Sequence, residues 1–125
     1  MSDTAIVVFA REGATAIINR GGTEAWKLDA NRARACDYLV CVQNCRGGGS
    51  PQAPHGAAFL VGRTSDVEKV DGDDVRWRVR ISAYAKIDIP NAWDGGRNPV
   101  RYTTLQELGI DPAPLRFEPI PQCPA

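Results

Sequence analysis

The apolar positions of this chain fall into short runs and alternations rather than helical repeats. Ala5-Ile6-Val7-Val8-Phe9-Ala10 is continuously apolar and β-branched at its centre, the mark of a buried strand. Ala16-Ile17-Ile18 predicts a second short strand, or a continuation of the first after a Glu12-Gly13 turn, and Arg20-Gly21-Gly22-Thr23 interrupts regular structure. Asp29 is placed to cap a short helix through Ala30, Arg32, Ala33 and Ala35, because its carboxylate can accept from the free amides of a first turn. Tyr38 to Asn44 is the next strand, and Ala57 to Arg63 another. From Val75 to Tyr84 the pattern becomes strict period two: Val75, Trp77, Val79, Ile81 and Ala83 alternate with Arg76, Arg78, Arg80, Ser82 and Tyr84. Val70-Asp71-Gly72-Asp73 supplies the turn chemistry between these two strands, so a long antiparallel hairpin is expected. Val100-Arg101-Tyr102 is extended, and Thr104-Leu105-Gln106-Glu107 with Gly109 reads as a capping box and stop for a helix of about one turn.

Together these elements predict an α+β domain, mostly antiparallel, with about five or six strands and two short helices. Strands of this number and length commonly curl into a small barrel to hide their edges. With 125 residues the chain has the size of one domain, residues 1–111, followed by a tail, 112–125, that holds five of the nine prolines. Hydrophobic residues at 43% and charged residues at 24% exclude wholesale disorder, and no apolar run has the roughly 20 residues of a membrane helix. A cytoplasmic location without membrane attachment is the expectation.

Charge changes the picture locally. Fifteen basic and fifteen acidic residues cancel, which does not suit a protein that works mainly by coating itself in nucleic acid. Yet Thr64–Asp74 carries five acids and one lysine, and Arg76–Arg101 carries six basic residues and two acids. The row Arg76, Arg78 and Arg80 faces a ligand, the acidic turn or water.

Candidate chemistry is sparse. Cys36, Cys41, Cys45 and Cys123 fit no common zinc spacing, and along a strand Cys41 and Cys45 would lie about 13 Å apart, too far to share one metal. Small buried thiols are expected, with no disulfide, metal or cofactor. His55, the one histidine, sits in a glycine- and proline-rich loop that lacks the Gly-Lys-Ser/Thr ending of a phosphate loop. No catalytic set declares itself. The binding signal is stronger: Trp93, Arg97, Asn98, Arg101 and Tyr102 fall within ten positions around Gly95-Gly96 and Pro99. Aromatic faces stack on bases, an asparagine amide offers a donor and an acceptor in one plane, and arginine pairs with phosphate through two parallel bonds. The structural alternative is that Trp93 plugs the end of the barrel and Arg97 bonds nearby carbonyls. Trp26, Asn44 and Tyr84 are further ligand-binding candidates, Trp26 having a core position as its alternative.

The order of elements resembles the PUA-like superfamily, in particular its small stand-alone ASCH and EVE branches. The resemblance spans Trp26 to Leu108. It rests on Trp26-Lys27-Leu28 with its short helix, the strand Tyr38–Asn44, the Ala-Phe-Leu-Val-Gly-Arg strand with Val61-Gly62, the charged hairpin, and Pro99-Val100 before Leu105 and Leu108. The resemblance implies a pseudobarrel whose cleft binds RNA or a modified base flipped from DNA, and in some members nuclease or amidohydrolase activity. The leading expectation is therefore a binding module for nucleic acid or a nucleotide-like ligand. A small hydrolase, ribonuclease or amidohydrolase, using Tyr84 or Lys86 in the same cleft is the first alternative. A protein-interaction domain that docks a partner through the proline-rich tail is the second.

Overall fold

A computed structural model describes residues 3–46, 53–70, 72, 75–93 and 99–120. The chain runs β1 (Thr4–Ala10), α1 (Ala14–Arg20), β2 (Gly22–Trp26), α2 (Ala30–Ala35), β3 (Tyr38–Gln43), β4 (Ala58–Val70), β5 (Arg76–Ile89), β6 (Val100–Thr104) and β7 (Glu118–Pro119). The strands form one sheet in the order β2-β5-β4-β3-β1-β6, with β7 beside β5. β1 and β3 run parallel, and the other paired strands are antiparallel.

The fold is thus mixed α+β and mostly antiparallel sheet, as the patterning predicts, but the sheet does not close into a barrel. No hydrogen bonds join β2 to β6 among the described residues. The physical reason lies in how the apolar faces and the edges are covered. Both edge strands are only five residues long, which limits the backbone they expose. The sheet centre is buried on both faces, one under the two helices and the other under the segment from Leu105 to Phe117. Burial on both faces also explains the continuous apolar runs of β1 and β3. On β1, Ile6, Val8 and Ala10 enter the helix-covered core, while Ala5 and Val7 enter the other.

Three local outcomes differ from the sequence reading. Ala16-Ile17-Ile18 is not strand but the middle of α1: Ile17 and Ile18 point into the core, and Gly21, at φ +75°, ends the helix by returning its amide to Ile17 O and Ile18 O. Gly22 and Thr23 are not a break but the start of β2, on the edge of β5. The segment after Thr104 makes successive turns rather than a helix, with Leu108 N on Leu105 O and Gly109 N on Gln106 O. The other expected helix forms as read: Asp29 accepts from Asn31 N at 3.0 Å and Arg32 N at 3.3 Å at the start of α2.

The expected hairpin forms, with β4 and β5 thirteen and fourteen residues long. Its register shifts between Arg63 and Thr64 and between Thr64 and Asp66, and such bulges bend and twist a ribbon. Gly62 leaves no room for a side chain, since a Cβ there would stand 2.6 Å from Ile81 Cγ2. The bent hairpin carries β2 back over the ends of β1 and β3, and Val67, Val79 and Ile81 share one core with Ile6 and Val8. Part of the tail packs down as well: Phe117 packs against the outer core, and Glu118 and Pro119 pair with Tyr84 and Ala83.

Candidate functional site

The curl of the sheet leaves a cavity of about 500 Å³ where β1 and β3 end. Phe9, Ala10, Arg11 and Glu12 line one side as the chain leaves β1, and Asn44 follows directly from β3. Thr23, Trp26 and Lys27 close it from β2, with Arg76 at the start of β5 and Pro99 ahead of β6. Residues distant in sequence meet here through the pairing of β1 with β3 and of β2 with β5.

The wall is held by specific bonds. Trp26 Nε1 donates to Thr23 Oγ1 at 3.0 Å, and Thr23 is itself almost wholly buried. That bond occupies the indole N–H and fixes the ring as an apolar surface. Asn44 N donates to Ala10 O at 2.7 Å, and Asn44 Oδ1 accepts from Arg46 N at 2.9 Å. With its oxygen engaged, the Asn44 amide nitrogen supplies the donors. Glu12 is held by Arg20 through two bonds of 2.9 and 2.8 Å, so its charge is balanced. Arg11 and Lys27 are exposed cations at the rim.

Of the described residues singled out from the sequence, Trp26, Asn44 and Arg76 line this cavity, while Trp93, Arg101, Tyr102 and Tyr84 lie elsewhere. Trp93 stacks on Phe9, with centroids 4.5 Å apart and planes 6° from parallel, and its amide donates to Gly56 O at 3.3 Å. It thus backs a ring of the cavity wall from the outer face. Tyr102 lies under the Arg32 guanidinium at 4.1 Å, and its hydroxyl meets the Asp29 backbone, accepting from N at 3.1 Å and donating to O at 3.2 Å. Burial chiefly raises its pKa above the ordinary tyrosine value. Arg101 is half-buried on β6 opposite Val7. Tyr84 donates to Glu118 Oε2 at 2.9 Å, and that bond raises its pKa. Lys86 lines a separate cavity of about 340 Å³ with Ala14, Phe59 and Asp88. Arg97 and Asn98 lie outside the described residues.

Two arginines of the row meet acids across the hairpin: Arg80 stands opposite Asp66 and Arg78 opposite Glu68, with an ion pair joining Arg80 to Glu68, whereas Arg76 stands opposite Val70. Cys36 and Cys41 are buried and Cys45 is exposed; burial raises the thiol pKa of both buried cysteines, most strongly for Cys41. His55 is exposed, with Nδ1 accepting from Cys45 N at 3.2 Å. No group of three metal-ligating side chains occurs among the described residues, and Cys123 lies outside them.

Sequence reasoning does not single out Phe9, Arg11, Thr23, Lys27 or Pro99 for this site. Phe9 reads as core because it ends an apolar run, and its neighbours Arg11 and Glu12 look like an ordinary turn. Their only sequence signal is that charge follows directly on a buried strand. Comparison of the chain with protein-family models, with curated proteins and with solved structures finds no match.

Proposed function

We propose that the chain is a binding module for nucleic acid or a nucleotide-like ligand, and that a base is received in the cavity between Trp26, Phe9 and Asn44. The observation that carries this reading is the combination of parts in one concavity: aromatic wall, oriented amide and cationic rim. An indole whose N–H is already bonded offers its face, and a base stacked on it gains about 1–3 kcal/mol by alanine substitution. The Asn44 amide nitrogen then donates to an acceptor on the base edge, such as a ring nitrogen or carbonyl oxygen. Arg11 and Lys27 at the rim meet phosphate, and this local positive charge operates although the whole chain is neutral. Membership of the PUA-like superfamily, with its ASCH and EVE branches, is part of the proposal. The order of elements and the curled sheet support it.

A tryptophan-fluorescence titration tests the reading. The panel is single-stranded RNA, single-stranded DNA, plain duplex and duplex with methylated cytosine, each at two salt concentrations. Saturable binding of one class, weakened by Trp26→Ala and made less salt-sensitive by Arg11→Ala, is expected. Absence of binding across the panel, or equal affinity in the folded Trp26→Ala variant, overturns it.

A further inference from the structure

Gln43 is an unusual choice for the end of a central strand. It is completely buried, and Thr23 is the other buried polar residue among those described. A leucine would fill such a place without polar atoms to satisfy. The hydrogen bonds explain the choice. Gln43 Nε2 donates to Ala10 O at 2.9 Å and to Glu12 O at 3.2 Å. These carbonyls belong to the stretch where β1 leaves the sheet and turns toward α1, so Glu12 O has no strand partner there.

The backbone of the same residue holds a second segment. Gln43 N donates to Ala57 O at 2.9 Å, and Gln43 O accepts from Gly56 N at 2.8 Å. Gly56 O in turn accepts from Ala92 N at 2.8 Å and Trp93 N at 3.3 Å. Trp93 stacks on Phe9, a wall of the cavity. One buried residue therefore ties together the β1 exit, the Gly56 turn and the backing of the aromatic wall, and its chain neighbour is Asn44.

We infer that Gln43 is a positioning residue for the cavity: its side-chain amide holds the Ala10–Glu12 backbone, and with it Phe9, Arg11 and Asn44, in the arrangement that receives a ligand. It touches no ligand itself. The functional part of this inference rests on the base-binding reading, while the structural part stands on the hydrogen bonds alone.

The test compares Gln43→Met, which keeps the volume and loses both donors, with Leu105→Ala. Leu105 is fully buried in the outer core, and its amide bonds Asp3 O at the opposite end of β1, about 20 Å away. Backbone hydrogen exchange is measured on the full chain where both variants remain folded, and the affinity for cytidine 5′-monophosphate and for a mixed-sequence RNA decamer is measured alongside. Gln43→Met is expected to speed exchange at the Asn44 and Gly56 amides about tenfold more than at Val61, and to weaken the probes about tenfold. Leu105→Ala is expected to change exchange without that local bias and to leave affinity nearly unaltered. Uniform acceleration across the sheet in Gln43→Met, or unaltered probe affinity beside a weakened Trp26→Ala variant, overturns the inference. If neither probe binds the wild type, the affinity arm moves to whichever member of the fluorescence panel binds; absence of binding across that panel overturns the base-binding reading, and the exchange pattern still decides whether Gln43 holds the β1 exit. If Gln43→Met does not fold, the side-chain amide protons of Gln43 in the wild type decide. Exchange much slower than at the exposed Gln106, with a shift on probe binding, supports the inference; fast exchange overturns it.

Discussion

Replacing Trp93 with alanine separates a supporting ring from a ligand-contacting one. The ring is half-buried, lies face to face with Phe9 at 4.5 Å, and packs on the outer core. Truncating a fully buried tryptophan costs about 3–5 kcal/mol. Half burial scales this to about 1.5–2.5 kcal/mol, which includes the aromatic pair's own contribution of about 0.5–1.5 kcal/mol. In a domain of this size each kcal/mol lowers the melting temperature by about 3–5 °C, so Trp93→Ala should melt about 5–12 °C lower. Thermal unfolding followed by far-ultraviolet circular dichroism measures the shift, and the folded variant is then titrated with ligand. Because Trp93 backs Phe9 from the outer face, affinity should fall less than in Trp26→Ala. An unchanged melting temperature together with a loss of binding larger than that of Trp26→Ala would refute this reasoning and put Trp93 against the ligand.

Three further outcomes follow from the geometry. Gly62→Ala puts a methyl 2.6 Å from Ile81 Cγ2 and should cost about 1–3 kcal/mol of stability; in denaturant titrations the Gly62→Ala/Ile81→Ala pair should lose less than the two single changes combined. In a Cys123→Ser background, a thiol-specific chromogenic reagent should label the exposed Cys45 first and reach Cys41 only on unfolding, because burial both shields that sulfur and disfavours its thiolate. The bond from Tyr84 to Glu118 raises the phenol's folded pKa, so its stabilisation is complete below about pH 10, the unfolded value, and is lost as pH rises through the folded one. Tyr84→Phe should therefore show a smaller alkaline loss in denaturant midpoint, and an identical pH profile would contradict the assignment.

Much of the fold is legible because its signals are local. The apolar runs of β1 and β3, the alternation of β5 and the Asp29 cap each identify an element from a few adjacent residues. The helix α1 is not legible, because Ile17-Ile18 carries strand propensity and only burial against the inner core makes the helix pay. The open sheet is not legible either. It depends on the parallel pairing of β1 with β3 across α1, β2 and α2, and on the packing of Leu105–Phe117 over the outer face, both of which are tertiary. The site divides in the same way. Trp26 and Asn44 stand out as polar or aromatic residues beside strands. Phe9 and Arg11 join Asn44 through the parallel pairing of β1 with β3, and Arg76 joins Trp26 through the pairing of β2 with β5; no local pattern encodes either contact.

The most direct measurement is a nitrogen–proton chemical-shift titration of the isotopically labelled full chain with whichever nucleic-acid class binds in the fluorescence panel. The account predicts that the largest shifts cluster on the amides of Ala10, Arg11, Glu12, Thr23 and Asn44 and on the Trp26 indole N–H. Shifts centred instead on Tyr102 and Arg32, or on the Lys86 cavity, with Thr23, Trp26 and Asn44 unmoved, would contradict it.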